Sequence, residues 1–206
     1  MFDTLKLLFS YDFIVRAMVA GGLVALCCAL LGVSLVLKRF SMIGDGLSHV
    51  GFGALSVAAV MNVTPLAIAV PVVIVAAFFI LKLGKDSKVQ SDSAIALVSS
   101  VAIAIGVTVT SLSGGLNTDV YSYMFGSILA MSKTDVYISV ALSVAVLVLF
   151  LVFYHKIFAI TFDSDFAKAT GVKAEFYNML IAVLTALTIV VGMRIMGTML
   201  ISSLII

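Results

Sequence analysis

Residues 13–37 read FIVRAMVAGGLVALCCALLGVSLVL, an apolar run in which Arg16 is the one charged side chain. A transmembrane helix needs about 20 such residues, so this stretch predicts that the chain crosses a membrane. Of the 206 residues, 63% are hydrophobic and 11% are charged, whereas soluble domains have roughly 45–50% and 25%. This composition excludes a water-soluble globule, a disordered chain and a nucleic-acid binder.

Hydropathy predicts six spans and one further apolar stretch. Hydrocarbon offers no partner for backbone N–H and C=O groups, so each span must be helical, and the period-two alternation of a barrel is absent. The predicted fold class is an all-α polytopic membrane protein with six to seven transmembrane helices, in a single domain over residues 1–206. The spans are expected over about residues 13–37, 48–63, 66–83, 93–112, 136–154 and 177–191, and the further stretch covers 195–206.

The lysine and arginine residues predict how the spans are oriented. Loops enriched in these cations stay on the cytoplasmic side of a membrane. We therefore expect the connections after spans one, three and five in the cytoplasm and the N-terminus outside. Arg194 lies between two apolar runs and is expected to reach outward to the membrane surface. Of the 12 cations, the three connections hold Lys38, Arg39, Lys82, Lys85, Lys88, Lys156, Lys168 and Lys173.

One pair of residues in the sequence GDGLSHVGFG (residues 44–53) carries metal-binding chemistry. Asp45 and His49 are four residues apart, so a helix places them on one face, one turn apart. A carboxylate and an imidazole are ligands for Zn²⁺ or Mn²⁺, but a zinc site takes about four ligands. The alternative is structural: Asp45 caps the helix and His49 bonds a carbonyl group. The four flanking glycines would let helices, or two copies of the chain, approach closely.

Residues 113–135 form an unusual connection between spans four and five. Their apolar part, MFGSILAM (residues 124–131), is too short for a span. It predicts either a re-entrant element or an amphipathic surface helix, and composition does not decide between them. Asp119, Tyr121 and Ser122 are candidates for lining a vestibule on the outer side.

The connection over residues 155–178 predicts a short helix on the cytoplasmic surface. Asp163 or Ser164 can cap this helix, and Gly171 can end it in a left-handed conformation. Phe166, Ala167 and Thr170 are placed on one face. An exposed Phe166 would suggest docking onto a partner, and the alternative is an ordinary amphipathic connector.

The sequence has no nucleotide-binding or hydrolytic motif such as a P-loop, HExxH or a nucleophile elbow. The chain is therefore predicted not to be an enzyme and to bind no permanent cofactor. If transport is driven by ATP, the motor is another chain.

Four stretches in order resemble the membrane permease subunits of bacterial zinc, manganese and iron ABC importers (ABC-3 type). They are residues 30–58, SYMFGSILAMS (122–132), FDSDFAKATGVKAEFYNMLI (162–181) and ALTIVVGMRIMGTMLISSLII (186–206). The resemblance implies a homodimeric permease of the bacterial plasma membrane, similar in architecture to vitamin B12 and siderophore importers. It also implies two cytoplasmic ATPase subunits and an external metal-binding lipoprotein as partners.

The resemblance assigns roles to the candidate residues. Asp45 and His49 become metal ligands in the translocation path. Phe166, Ala167, Thr170 and Gly171 become part of an ATPase-coupling segment over about residues 157–176. Members of the family usually continue for at least one more span, so the apolar end at Leu204, Ile205 and Ile206 leads us to expect a truncated chain.

The transported cargo stays open at this point. Mixed oxygen and nitrogen ligands suit Zn²⁺ and Mn²⁺ about equally; the imidazole favours zinc, followed by manganese and then iron. One alternative is an ABC permease for a chelated or organic cargo, which would need a more polar and aromatic path. Another is an ATP-independent secondary transporter, which would need ion-coupling groups and often an internal repeat; the sequence shows no convincing repeat and only one intramembrane acid.

Overall fold

The structure, a computed structural model, describes residues 11–38, 40, 42–83, 91–113, 125–126 and 133–205. Every regular element in these ranges is a helix. We number these helices α1 (Asp12–Leu37), α2 (Met42–Val60), α3 (Pro65–Leu83), α4 (Ser91–Leu112), α5 (Lys133–Val152), α6 (Tyr154–Phe162), α7 (Ser164–Ala169), α8 (Ala174–Met196) and α9 (Thr198–Ile205).

Six of these helices, α1 to α5 and α8, are long and apolar enough to cross a membrane. The all-α polytopic prediction and its six spans are therefore confirmed. The second span begins at Met42, earlier than the predicted residue 48, because the helix accommodates the polar residues Asp45 and His49 within its first two turns. The sixth span is also longer than predicted and runs over Ala174–Met196.

The further apolar stretch over residues 195–206 is not one continuous element. Gly197 ends α8 with φ 86° and ψ 164°, a backbone region that is essentially restricted to glycine. After this turn α9 packs back on α8, so that a Cβ at Gly192 would overlap the side chain of Ile201. Ile205, near the end of α9, lies against the start of α2 at Gly44. The stretch is therefore the end of one span followed by a short returning helix.

Helices α2 and α8 form the centre of the bundle. Within the most apolar window of each span, 72% of α2 and 67% of α8 is buried inside the chain, against 22% of α4 and of α5. Helix α8 contacts four of the other five spans. The outward faces of α1, α4 and α5 carry exposed apolar side chains such as Leu26, Leu97 and Leu151, which is the pattern of lipid-facing helices.

Polar contacts tie the bundle together at its two ends. At one end, the Lys38 ammonium after α1 donates a hydrogen bond to Oδ1 of Asn178 in α8. Burial lowers the pKa of Lys38 to about 8. At the other end, Arg194 in the last turn of α8 forms an ion pair with Asp135 in the first turn of α5, with 2.8 Å between Nη2 and Oδ2. We call the end of the bundle with Lys38 and Asn178 the α7 end, because α7 leads into α8 there.

Candidate metal site and docking helix

Asp45 and His49 lie on one face of α2, as their spacing predicted. Nε2 of His49 is 3.6 Å from Oδ2 of Asp45. The two side chains are only partly covered, with 33% of His49 and 43% of Asp45 exposed. The hydroxyl of Ser48 donates to the carbonyl oxygen of Asp45 over 2.7 Å, so the backbone at this turn is fixed while both ligand groups stay available.

The glycines of α2 show on which sides this helix packs closely. A Cβ on Gly46 would overlap the side chain of Ile95 in α4, and one on Gly53 would lie 2.6 Å from the carbonyl oxygen of Ala102. On another side of α2, a Cβ on Gly51 would overlap Met193 of α8. At 3.6 residues per turn, Asp45 and His49 lie on the arc between these two packed sides.

The structure corrects one expectation about the glycines. Each of Gly44, Gly46, Gly51 and Gly53 faces a helix of the same chain, so they do not provide the surface on which two copies would meet. Their role is to let α4, α8 and α9 approach α2 closely. Over the first two turns of α2, the arc with Asp45 and His49 is instead the part left for a ligand or a second copy, whereas Phe52 and Ser56 further along the same arc are buried.

Two ligands do not complete a metal site. Among the residues that the structure describes, no group of three or more His, Cys, Asp or Glu side chains could hold a metal ion. The chemistry of the pair is nevertheless suitable, because a carboxylate oxygen and an imidazole nitrogen at this spacing can share one divalent cation. Further ligands would have to come from outside the described part of the chain.

The predicted helix after α6 is present as α7, and its predicted ends are confirmed. Oδ1 of Asp163 accepts hydrogen bonds from the backbone N–H groups of Asp165 (3.0 Å) and Phe166 (2.9 Å). At the other end, Gly171 has φ 84°, and the N–H of Val172 donates to the carbonyl of Ala167. This is the pattern in which a left-handed glycine satisfies the last carbonyl groups of a helix.

Helix α7 presents one large apolar side chain outward. Phe166 is 65% exposed, whereas Ala167 is 1% exposed and packs with Ile160 and Ala174. Ala167 therefore anchors the helix and does not share the exposed face with Phe166. Thr170 and Gly171 are exposed, so three of the four predicted docking residues are accessible to a partner.

The vestibule candidates Asp119, Tyr121 and Ser122, and most of the apolar segment 124–131, lie outside the described residues. Within that segment, Gly126 has φ 76°, and a Cβ at this position would overlap the backbone of Met196 and Gly197. The re-entrant element and the surface helix both stay predictions.

Two polar contacts near the ends of the spans were not predicted from the sequence. Arg194 does not reach outward to the membrane surface: it is 10% exposed and pairs with Asp135. The bond from Lys38 to Asn178 joins residues 140 positions apart. Neither contact has a local sequence signal, because each depends on which spans are neighbours.

Comparison with known proteins places this arrangement among transport proteins. The profile of the ABC 3 transport family matches residues 10–206. The manganese transport system membrane protein MntC of Halalkalibacterium halodurans is 28% identical over 199 residues, which are 97% of this chain and 68% of that protein. A probable metal transport system membrane protein of Treponema pallidum is 34% identical over 203 residues, covering 95% of this chain and 73% of that protein.

The fold also matches a solved structure. The structure of PsaBC from Streptococcus pneumoniae in complex with Fab aligns with a TM-score of 0.84 and 28% sequence identity. The alignment covers 99% of this chain and 73% of the matched chain.

Proposed function

This chain belongs to the ABC 3 transport family, and we propose that it is a subunit of a metal importer that carries a divalent cation, preferentially Mn²⁺, across the membrane. It is a permease subunit and not an enzyme, since its relatives are membrane components of transport systems. The observation that carries the proposal is the Asp45–His49 pair, which among the residues that the structure describes is the one acid–imidazole pair placed on a partly open face of a central span.

The proposed cargo follows from ligand chemistry together with the relatives. One oxygen and one nitrogen ligand suit Mn²⁺ and Zn²⁺ alike, and the imidazole alone favoured zinc. The MntC relative and the permease ScaB of Streptococcus gordonii are both named for manganese, which moves Mn²⁺ ahead of Zn²⁺ and iron. In this proposal the cation is substrate, held transiently by Asp45 and His49 on its way inward.

We propose that a second copy of the chain completes the metal site. The pair supplies two ligands, and both side chains are partly exposed on the arc of α2 that stays partly open over its first two turns. A symmetric contact across this arc would bring two carboxylates and two imidazoles together, which is a four-ligand set. An external binding lipoprotein delivers the cation in this scheme, with the N-terminus of the permease outside.

We propose that α7 couples the permease to two cytoplasmic ATPase subunits. Phe166 is an exposed aromatic anchor of the type that dominates protein interfaces, and its helix is held by the Asp163 cap and the buried Ala167. Movement of α7 reaches α8 directly, since Ala167 packs on Ala174. Helix α8 in turn packs on α2, which carries Asp45 and His49.

The metal site is tested with Asp45→Asn and His49→Gln in cells that depend on this importer. The first change removes the charge of the carboxylate and the second removes the imidazole nitrogen, while each leaves a polar side chain. Because losing even an outer-shell partner of a metal ligand costs about 10–100-fold in affinity or activity, we expect Mn²⁺ uptake to fall by about tenfold or more. Uptake of radioactive Mn²⁺ and Zn²⁺, normalised to the amount of permease in the membrane, also ranks the two metals. Asp92→Asn is the control, an exposed acid in the first turn of α4. Unchanged uptake by both site variants would remove the site assignment.

The coupling role is tested separately with Phe166→Ala. Removal of the aromatic anchor is expected to weaken association with the ATPase subunits by about 2 kcal/mol or more, measured by copurification from solubilised membranes. Phe79→Ala is the matched control, because Phe79 is a similarly exposed aromatic residue (53%) on the transmembrane helix α3. Equal recovery of the ATPase with both variants would contradict the docking assignment.

A further inference from the structure

A groove runs between the last turns of α1 and the junction of α5 with α6. We call it the elbow groove; its walls include Ala29, Val33 and Leu37 on α1 and Tyr154, Phe158 and Phe162 on α6. We propose that the elbow groove binds an acyl chain of a membrane phospholipid. Neither the metal site nor the docking face of α7 contributes to its walls.

The groove has the size and chemistry of an apolar ligand site. Its volume is ≈ 250 Å³, and apolar protein cavities of roughly 150 Å³ already hold a molecule such as benzene. The hydroxyl of Thr161 on its wall donates to the carbonyl of Ile157 over 2.7 Å. That hydroxyl is therefore satisfied within α6 and requires no polar group on the ligand.

One wall of the elbow groove is formed by a series of four aromatic residues, each one helical turn after the previous one. Phe150, Tyr154, Phe158 and Phe162 follow one another at four-residue intervals, and their ring centroids are 6.1, 5.9 and 4.4 Å apart. Phe158 and Phe162 are nevertheless 48% and 64% exposed. Ile160 on the opposite side of α6 is buried, and Ile157 is a buried residue of the groove wall. Tyr154, Phe158 and Phe162 therefore form the face of α6 that the chain itself leaves uncovered, whereas Phe150 on α5 is buried.

The membrane, and not another protein, is the neighbour that this position implies. Its wall residue Val33 on α1 is an exposed apolar side chain of a span, and so are Leu151 and Val152 at the end of α5, next to the start of α6. An uncovered apolar surface of a span faces acyl chains. The groove lies where α1 ends at Leu37 and α5 ends at Val152, which is the level at which an acyl chain meets its headgroup.

An acyl chain in the elbow groove would lie between α1 and α6, the helix that precedes α7. Helix α6 packs on α7 through Ile160 and Ala167, so an occupied groove supports the position of the docking helix. The proposal itself depends only on the membrane location of the spans and not on which cation the chain transports.

The chain contains no tryptophan, so a single introduced indole reports on one place. The experiment uses Phe158→Trp as the groove reporter and Val144→Trp, an exposed site on α5, as the bulk reporter. The purified protein in detergent is titrated with phosphatidylcholine brominated on one acyl chain, which quenches a nearby indole. We expect fluorescence of the groove reporter to be lost in a saturable way at low lipid, while the bulk reporter loses fluorescence only as lipid replaces detergent.

A second substitution shows whether the quenching lipid lies in the groove. Ala29→Phe places a ring in the groove and is expected to abolish saturable quenching of the Phe158→Trp reporter. Ala25→Phe is the matched control, one turn away on the same helix and also exposed, but outside the groove. Phe162→Trp serves as a second groove reporter if Phe158→Trp does not fold. The proposal is overturned if groove and bulk reporters quench alike, or if Ala29→Phe has no effect.

Discussion

Gly53 occupies the point at which the backbones of α2 and α4 are closest. A Cβ at this position would lie 2.6 Å from the carbonyl oxygen of Ala102, and a backbone atom cannot move away as the end of a flexible side chain can. On the α4 side, Gly106 faces the Cα of Gly53. Two glycines therefore face each other across the contact, and the close approach fixes the rotation of α2 that leaves Asp45 and His49 uncovered.

This contact predicts a large effect from one methyl group. Gly53→Ala forces α2 and α4 apart and is expected to destabilise the protein by about 1–3 kcal/mol, the cost of overpacking a close contact. Gly22→Ala is the matched control: no atom lies within 4 Å of an added Cβ there, so alanine's higher helix propensity, worth up to about 1 kcal/mol, makes it neutral or stabilising. Thermal unfolding in detergent measures both, and equal midpoints would contradict the close approach.

Single residues were predicted well where the signal is local. The spacing of Asp45 and His49 predicted that they share one face of a helix. Asp163 and Gly171 predicted the two ends of α7, because an N-terminal cap and a left-handed C-terminal residue each depend on a few consecutive residues. The inward position of Ala167 was missed. A helix of six residues has too few turns for its sequence to show which side is buried, and the partner residues Ile160 and Ala174 belong to other helices.

At the scale of one element, the stability of α7 depends on Asp163. Its carboxylate accepts two backbone hydrogen bonds at the start of the helix. We expect Asp163→Ala to cost about 1 kcal/mol of helix stability, and hydrogen exchange at the amides of residues 165–170 to speed up accordingly. Asp165→Ala is the control, since the carboxylate of Asp165 forms an exposed ion pair with Lys168 and such pairs are worth little. Unchanged exchange in Asp163→Ala would show that packing alone holds α7.

The spans themselves were predictable from length and hydropathy, but α9 was not. Residues 195–206 are apolar throughout, and hydropathy does not distinguish a continuing helix from a reversal. The reversal depends on the conformation of Gly197 and on room for Ile201 beside Gly192. A glycine in an apolar run has several uses, so the turn becomes visible only when the neighbouring helix is known.

Across the whole molecule, the two ends of the bundle are held by different chemistry. At the α7 end, Lys38 and Asn178 connect α1 to α8 through a single hydrogen bond. At the far end, Arg194 and Asp135 connect α8 to α5 through a largely buried ion pair. Helix α8 takes part in both contacts and also packs on α2. A movement passed from α7 to α8 would therefore reach α2 and its Asp45–His49 pair, while polar contacts hold α8 to α1 at one end and to α5 at the other.

The ion pair at the far end predicts a strong and asymmetric response to mutation. Arg194→Gln leaves the carboxylate of Asp135, 16% exposed, without this charge partner, and loss of one member of a buried pair costs about 3–5 kcal/mol. We expect a clear drop in the unfolding midpoint in detergent. The double change Arg194→Leu with Asp135→Leu should recover much of the loss, because an apolar pair carries no desolvation cost. Lys168→Gln is the exposed control, since its partner Asp165 is 90% exposed. If Arg194→Gln unfolds at the same midpoint as Lys168→Gln, the pair does not hold α5 to α8.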